Sequence, residues 1–190
     1  PSERTPVTDP STSHAEQRAF LATYWHCLMV EHDWETFASI VDPDCVVHYP
    51  GNHFLSGDHV GREAVVRLYQ NLTALGPATG TFVGELHDTV HSDSHCCALV
   101  KYRIVVAPGM ELAGDAVGVF HLRDGRMNEY WLLERDQKMI NDIVNMGGKA
   151  LLAGGDRWRM AVGALLHPGA LVRTVRRVVR AKRATSTKML

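Results

Sequence analysis

Several features are missing from this chain of 190 residues, and each absence argues against a class of protein. No run of about 18 uncharged apolar residues occurs, so the sequence predicts no membrane-spanning helix. The chain has no glycine-rich phosphate loop, nucleophile elbow or dinucleotide fingerprint, which argues against the common nucleotide-binding and serine-hydrolase families. Residues 1–12 contain no apolar core of a secretory signal, so we interpret them as a flexible leader.

Cysteine is also scarce, and its spacing forms no Cys-x-x-Cys pair that would indicate a redox motif. The four cysteines are Cys27, Cys45, Cys96 and Cys97. Because neighbouring residues of a strand point to opposite faces, Cys96 and Cys97 would lie on different sides of one strand. We therefore expect small buried thiols in a cytoplasmic protein, where the compartment is reducing.

Histidine, by contrast, is abundant, with eleven residues in the chain. Three of them, His48, His53 and His59, cluster around one turn, but their spacing fits no structural-zinc pattern. The sequence therefore predicts neither a metal site nor a cofactor.

Charge is distributed unevenly, although the net charge is only −1. Residues 1–148 hold ten basic and twenty acidic side chains, whereas residues 149–190 hold ten basic and one acidic. Within this tail, residues 171–183 place aliphatic side chains on one helical stripe and arginines on the other. We predict a basic amphipathic helix that docks on the domain or on a dimer partner. Contact with an anionic membrane is the alternative, and nucleic-acid binding is disfavoured.

Three helices are predicted before the main strands. Ser13 and Glu16 form a capping box that opens the first helix, and the apolar residues that follow recur at helical spacing. Asp33 caps a second, short helix. The third covers residues 62–74, and we expect it to end at Gly76.

Extended segments follow, roughly at 44–49, 81–91, 96–107 and 112–136. Asp124 and Gly125 divide the last segment into a hairpin, and residues 138–146 form a final helix. Helices followed by long antiparallel strands indicate an α+β fold rather than an alternating parallel one. The domain is predicted at 13–148, before the basic helical extension of 149–190.

Three short motifs carry a resemblance to a known superfamily. Val46-x-His48-x-Pro50 lies on the first strand, Gly61-x-Glu63-Ala64 opens the third helix, and Asp124-Gly125-Arg126 precedes Glu129-x-Trp131 in the last hairpin. With this order of elements, residues 14–146 resemble the SnoaL-like branch of the nuclear-transport-factor-2-like superfamily. The resemblance implies a cone, in which a strongly bent, mostly antiparallel sheet wraps the N-terminal helices and forms a ligand pocket.

The resemblance also implies chemistry: related enzymes use carboxylates or histidines to move protons beside a carbonyl, and a hydrogen-bond donor stabilises the enolate. The general-base aspartate of ketosteroid isomerases falls on Tyr49, their tyrosine donor on Trp25 and their aspartate donor near Gly118. The His/Asp pair of the SnoaL-type aldol cyclases falls near Gly118 and Leu132. Neither catalytic set is complete in this chain.

Two candidate catalytic residues end the first strand. The His48 imidazole could act as a general base near neutral pH, and a structural histidine bonded to backbone is the alternative. The Tyr49 hydroxyl could donate a proton or orient a ligand, and a pocket-rim aromatic is the alternative.

Two acidic residues are the other catalytic candidates. Glu134 has the strand parity of Leu132 and is predicted to line the cavity. Asp115 lies in an apolar strand, where burial would raise its pKa. Strict alternation puts Asp115 opposite to Gly118, so a bulge is needed to turn it inward, and an acid at a dimer face or strand edge is the alternative.

Ligand binding is predicted on a set of mostly aromatic and small residues: Tyr24, Trp25, Asn52, His53, Tyr102, Gly118, Phe120, His121, Tyr130 and Leu132. Gly114, Ala116 and Gly118 share one strand face, and their small size would leave open volume beneath the sheet. The alternative is that these glycines only permit the sheet to bend.

The sequence thus predicts a homodimeric cyclase or isomerase, paired through its outer sheet face, that acts on a hydrophobic polyketide- or terpenoid-type substrate. Acid/base catalysis and cyclisation templated by the pocket are both open, and epoxide opening is a third chemistry. The rival interpretation is a non-catalytic binding module of the same fold.

Overall fold

The domain begins with helices whose ends follow local sequence signals. The computed structural model describes residues 13–107 and 109–153, and helix α1 (His14–His26) opens the domain. The Glu16 carboxylate accepts a hydrogen bond from the Ser13 backbone N–H at 2.8 Å, and the Ser13 hydroxyl accepts one from the Glu16 N–H. The predicted capping box is therefore confirmed.

Two further short segments lead from α1 to the sheet. A π-helical turn (Cys27–Glu31) continues α1 and ends at His32, which adopts a left-handed conformation. Asp33 caps α2 (Trp34–Ser39) by accepting from two backbone N–H groups, as the sequence predicts.

Six strands form one curved sheet. They are β1 (Val41–Tyr49), β2 (Gly57–Val60), β3 (Thr81–His91), β4 (His95–Ala107), β5 (Met110–Arg123) and β6 (Arg126–Glu134). Their order is β2-β1-β6-β5-β4-β3; β1 and β6 run parallel, and all other neighbours are antiparallel. Two helices complete the domain, α3 (Arg62–Thr79) and α4 (Gln137–Ala153). The predicted α+β class is confirmed.

The β5–β6 hairpin turns where the sequence predicts it. Asp124 and Gly125 have φ values of 50° and 72°, and Arg123 pairs with Arg126 across the turn. Two consecutive positive φ values are the requirement of a type I′ turn, which matches the right-handed twist of the strands.

Several predicted boundaries differ from the structure. β1 starts at Val41, and the short edge strand β2 was not predicted at all. Helix α3 passes Gly76 and ends at Thr79; Gly80 caps it, and the Gly80 N–H donates to the Gly76 carbonyl at 2.9 Å. Helix α4 likewise passes Gly148, where a Cβ would lie 2.6 Å from Phe54 Cε1. A glycine costs only about 1 kcal/mol inside a helix, so tertiary packing outweighs it.

The two faces of the sheet have different environments. The inner face packs against the helices: Phe120 and Tyr130 are buried there, and their rings contact Tyr24 of α1. The outer face carries the intervening residues, among them Val119 and Trp131, which are partly exposed. This division, which we call the inner and outer faces, decides which candidate residues can meet.

The cysteines behave as the sequence predicts. None is paired, and Cys27, Cys45 and Cys96 are buried, whereas Cys97 is partly exposed on the other face of β4. Burial, with smaller effects of nearby ionisable groups, raises the pKa of the Cys45 and Cys96 thiols to about 12. Both therefore stay protonated and unreactive at neutral pH.

Within the described ranges, no helix is long and apolar enough to cross a membrane. The predicted leader of residues 1–12 and the predicted basic helix of residues 171–183 lie outside those ranges.

Candidate functional site

Glu134 is an acid in an apolar, aromatic setting. It ends β6 on the inner face, opposite Ala116 of β5, and it is half-buried. The Tyr102 hydroxyl donates a hydrogen bond of 2.9 Å to Glu134 Oε2. Burial raises the pKa of Glu134 to about 7, although the Tyr102 hydrogen bond acts in the opposite direction. Both protonation states of this carboxyl are therefore populated at neutral pH.

Tyr102 reaches Glu134 because its strand neighbour has no side chain. Tyr102 of β4 pairs with Gly114 of β5, and a Cβ on Gly114 would clash with the Tyr102 hydroxyl and lie 3.0 Å from Cε2. On the other side, the Tyr102 ring stacks on Phe82 with centroids 5.3 Å apart. The phenol is therefore positioned between Phe82 and the bare backbone of Gly114.

Tyr49 adds a second hydroxyl near this acid. It lies on the inner face at the end of β1 and is buried. Burial and then the charge of Glu134 raise the pKa of Tyr49, so the phenol stays protonated at neutral pH. Tyr49 can therefore donate a hydrogen bond but cannot act as a base.

Three more buried tyrosines bring their hydroxyl groups together. The hydroxyl oxygens of Tyr24 (α1) and Tyr69 (α3) lie 2.6 Å apart, and the Tyr130 hydroxyl of β6 interacts with that of Tyr24. Burial raises the pKa of all three well above the usual value. Tyr69 was not predicted as a site residue; its only signal was its place on the inner stripe of the third helix.

The turn after β1 carries two predicted binding residues. His53 is 6% exposed, and its ring lies edge-on to Tyr49 with centroids 5.8 Å apart. Burial and then His59 lower the pKa of His53 to about 4. Asn52 is exposed, and its backbone N–H donates to Asn141 Oδ1 of α4 at 2.8 Å.

His48 lies on the outer face, so the structure does not bring it together with Glu134. Its Nδ1 is 2.9 Å from Asp58 of β2, and its Nε2 is 2.9 Å from Glu129 of β6. The ring also stacks on Trp131. Burial lowers the pKa of His48, but the hydrogen bonds to Glu129 and Asp58 outweigh it and the net direction is upward. The environment is that of an imidazolium that donates to two carboxylates.

Asp115 and His121 also lie on the outer face. The pairing of β5 with both neighbours is regular from Ala116 to His121, so the bulge needed to turn Asp115 inward is absent there. Asp115 instead forms an ion pair with Arg135, and the His121 ring lies 5.2 Å from that of His95. Strict strand alternation therefore applies, and Asp115 is an acid of the outer face.

Directly beneath Gly114 and Gly118, aromatic side chains occupy the space that a glycine leaves open. A Cβ on Gly118 would lie 2.9 Å from Tyr130 Cε2 and 3.0 Å from Phe120 Cε2, and Phe120 is fully buried. Leu132, opposite Gly118, is partly exposed on the inner face. The glycines allow aromatic rings to approach the sheet, which is a packing role.

Trp25 and Tyr24 are neighbours on α1, and their side chains contact different parts of the domain. The Trp25 ring packs against Gly84 of β3, and Tyr24 is the residue whose hydroxyl enters the tyrosine cluster. The position expected for a tyrosine donor is thus shifted by one residue along α1.

The inner-face residues Glu134, Tyr102 and Tyr49 are the candidate site. Among the described residues, no group of three or more histidine, cysteine, aspartate or glutamate side chains is arranged to hold a metal ion.

Comparisons with known proteins agree on the fold. The family model of the SnoaL-like domain matches residues 11–130. Bal32a, from a soil-derived mobile gene cassette, is 21% identical with a TM-score of 0.59, over 68% of this chain and 97% of its own. A putative SnoaL-like polyketide cyclase from Jannaschia sp. CCS1 is 10% identical with a TM-score of 0.55, over 76% and 98%. An LEH-like epoxide hydrolase from M. tuberculosis is 16% identical with a TM-score of 0.51, over 74% and 98%. No curated protein matches significantly.

Proposed function

The chain belongs to the SnoaL-like domain family, and from this premise we propose that it is a cofactor-independent cyclase or isomerase for a bulky, hydrophobic molecule of polyketide or terpenoid type. The observation that carries the proposal is the half-buried Glu134 carboxyl. Burial raises the pKa of this group to about 7. A catalytic acid or base works best when its pKa lies near the working pH. A carboxylate with only a structural role on the protein surface does not require burial that raises its pKa.

The proposed step is a proton transfer beside a carbonyl. The Glu134 carboxylate removes a proton from the carbon next to the substrate carbonyl, and the electron pair of the broken C–H bond forms an enolate. The protonated Tyr49 hydroxyl donates a hydrogen bond to the enolate oxygen. Glu134 then returns the proton to a different carbon, which gives isomerisation. Alternatively, the enolate carbon attacks a second carbonyl of the same chain, and Glu134 protonates the new alkoxide, which gives cyclisation.

Tyr102 tunes the acid in this scheme. Its hydroxyl donates to Glu134 Oε2 at 2.9 Å and so favours the carboxylate, while burial favours the neutral acid. The balance keeps Glu134 able both to accept and to return a proton. Leu132, on the same face of β6, and Phe82, which stacks on Tyr102, favour an apolar substrate.

Epoxide opening is the second candidate, supported by the pairing of one base with one protonated phenol. In that reaction Glu134 takes a proton from water while the water oxygen attacks an epoxide carbon and the C–O bond of the ring breaks. Tyr49 donates a hydrogen bond to the departing oxygen. The alkoxide then takes the proton from Glu134, which gives the diol and restores the carboxylate. The overall fold of an epoxide hydrolase is among those similar to this chain. The same two side chains would serve either reaction, so the substrate decides between them.

The rival proposal is a binding module without catalysis, and the tight aromatic packing at Gly118 supports it. The two proposals differ in what they require of Glu134. A binding module needs this position only for contact, whereas an enzyme needs its proton.

A deuterium-exchange experiment with 2-tetralone, a bicyclic ketone, tests the proposal without knowledge of the substrate. We expect the wild-type protein to exchange the α-protons with solvent deuterium, and Glu134→Gln to slow the exchange at least about 100-fold. The wild-type rate should rise with pH through about 7, because the base must be deprotonated. Proton NMR of the ketone measures both effects.

The matched control is Glu129→Gln, on the same strand but on the outer face, which should leave the exchange rate unchanged. Exchange that is equally fast in Glu134→Gln, or a wild-type rate no higher than buffer, would count against catalysis and favour the binding module.

A further inference from the structure

His53 has one hydrogen-bonding atom that stands apart from the rest. Its backbone N–H donates to Ser56 Oγ at 3.0 Å, and its carbonyl accepts from the Ser56 N–H at 3.1 Å. Its ring Nδ1 accepts from the Leu55 N–H at 3.3 Å. Among the buried side-chain nitrogen and oxygen atoms of the described residues, only Nε2 of His53 has no hydrogen-bond partner, and His53 is 6% exposed.

The protonation state of the ring follows from these contacts. A backbone N–H can only donate, so Nδ1 is the acceptor and the proton of a neutral imidazole sits on Nε2. Burial and then His59 lower the pKa of His53 to about 4, so the ring is neutral at physiological pH. Nε2–H is therefore an uncharged donor in a buried position, and leaving such a donor unpaired costs free energy.

Two neutral amide side chains of α4, Gln137 and Asn141, lie close to Nε2. Nε2 lies 3.0 Å from the position that a Cβ on Gly51 would occupy, and Gln137 Nε2 lies 2.7 Å from the same position. Asn141 Oδ1 also lies against this Cβ position. The same oxygen accepts hydrogen bonds from the Asn52 N–H and from Gln137. Gly51 has a φ of +105°, which suits glycine, so this close approach needs its missing side chain.

The His53 ring also contacts one of the proposed catalytic residues, Tyr49. The Tyr49 ring stands edge-on to His53, and the charge of Glu134 contributes to the raised pKa of Tyr49. Tyr49 thus connects the turn that carries His53 with the acid at the end of β6.

We infer that Nε2–H of His53 is a binding position for a neutral oxygen acceptor of the ligand, a ketone, ether or epoxide oxygen. An uncharged donor suits such an oxygen, because a neutral acceptor loses less hydration on burial than a carboxylate or phosphate does. A site built to donate one hydrogen bond rejects the analogue that lacks the acceptor. The class of ligand, a hydrophobic small molecule, is taken from the proposed function. The inference adds that the His53 Nε2–H group selects a ligand with a neutral oxygen acceptor.

The test compares 9-fluorenone with fluorene, two tricyclic molecules that differ by one ketone oxygen. Fluorenone has no α-proton, so its binding does not depend on chemistry at Glu134. Titrations followed by NMR should show that the full-length wild-type protein binds the ketone at least tenfold more tightly than the hydrocarbon. His53→Phe should reduce this ratio to about one, and His53→Gln, which restores an N–H donor, should recover most of it.

Two measurements keep the result independent of the stability of the variants. In the wild-type protein, fluorenone should shift the ¹⁵N resonance of His53 Nε2, and fluorene should not. The carbonyl stretch of bound fluorenone should lie at lower frequency in the wild type than in His53→Phe.

The inference is overturned if the wild type shows no preference for the ketone, if neither probe binds, or if His53→Phe keeps the ratio. An ordered water that remains on Nε2 while fluorenone is bound would assign the donor a structural role instead. Glu134→Gln should keep the full binding ratio. A wild-type protein that prefers the ketone but does not exchange the α-protons of 2-tetralone would contradict the proposed function and leave this inference standing.

Discussion

Two glutamates of β6 show how strongly local environment decides the chemistry of one residue type. Glu129 lies on the outer face and contacts the His48 imidazole at 2.9 Å. Glu134, five residues later, lies on the inner face, where burial raises its pKa to about 7. The two positions differ by five, an odd number, so strand alternation puts them on opposite faces. Of the two, only Glu134 accepts a hydrogen bond from a phenol, that of Tyr102.

Gly114 positions the phenol that tunes Glu134, and this makes a prediction at the residue scale. In Gly114→Ala the new methyl group should push the Tyr102 hydroxyl away from Glu134. Because that hydrogen bond lowers the pKa of Glu134, its loss should raise the pKa from about 7 by roughly one further pH unit. ¹³C NMR of the labelled carboxyl measures this directly.

Tyr102→Phe should reproduce the effect, since it removes the same donor. Ala113→Val, one residue away on the exposed outer face, is the matched control and should leave the pKa of Glu134 unchanged. A Glu134 pKa still at about 7 in Gly114→Ala would show that the phenol adapts to the methyl group.

At the element scale, an ionic contact on the outer face links the short strand β2 to β1 and β6. His48 of β1 lies between Asp58 of β2 and Glu129 of β6, and it stacks on Trp131. Edge strands of four residues are weakly held by backbone pairing alone, so a charged side-chain bridge contributes to their order. The contact therefore gives His48 a structural role on the outer face.

The stability of β2 should depend on pH through His48. The pKa of His48 is raised in the folded state, so its contribution is present below the unfolded value of 6.5 and is lost as pH rises through the folded value. His48→Gln should therefore lose more stability at pH 6 than at pH 9. Because the groups are partly exposed, the difference should be about 0–1 kcal/mol.

Urea unfolding at both pH values measures this difference, and Asp58→Asn should show the same pH dependence. Part of the cost of His48→Gln comes from lost stacking on Trp131, which does not titrate and cancels between the two conditions. A loss that grows from pH 6 to pH 9 would contradict the assignment.

At the scale of the whole molecule, charge divides the chain into an acidic body and a basic tail. Residues 1–148 carry an excess of ten acidic side chains, and residues 149–190 an excess of nine basic ones. Helix α4 runs to Ala153, so the basic extension continues from a helix that packs on the domain. Attraction between the two parts supports docking of the tail on the domain or on a second copy.

Deletion of residues 168–190 should therefore lower the melting temperature or weaken a dimer. The predicted stripe of 171–183 has five aliphatic residues: Leu171, Val172, Val175, Val178 and Val179. Each would contribute roughly 1.5 kcal/mol or more when buried, whereas exposed arginine pairs add only about 0–1 kcal/mol each. Changing Val175, Val178 and Val179 to serine should reproduce the deletion. Changing Arg173, Arg176, Arg177 and Arg180 to glutamine should have a smaller effect.

Thermal unfolding and sedimentation measure the two readouts, and deuterium exchange on 2-tetralone should change little. Salt-sensitive binding of the intact protein to anionic vesicles, lost on deletion, would support the membrane interpretation instead.

Short-range features could be predicted from the sequence because neighbouring residues decide them. The capping box of Ser13 and Glu16 joins residues three apart, and the Asp124-Gly125 turn depends on two adjacent φ values. Strand alternation correctly assigns Glu134 to the inner face and Asp115 to the other. Each of these follows from backbone geometry within a few residues.

Tertiary structure alone decided which side chains meet. Tyr102 and Glu134 are 32 positions apart, and Tyr24 and Tyr69 are 45 apart, so no local pattern connects them. Helix α3 passes Gly76 and the polar segment of β2 forms a strand because packing and pairing outweigh weak local preferences. The same long-range packing fills the space at Gly118 with aromatic rings, and it buries Glu134, which raises the pKa on which the proposed chemistry depends.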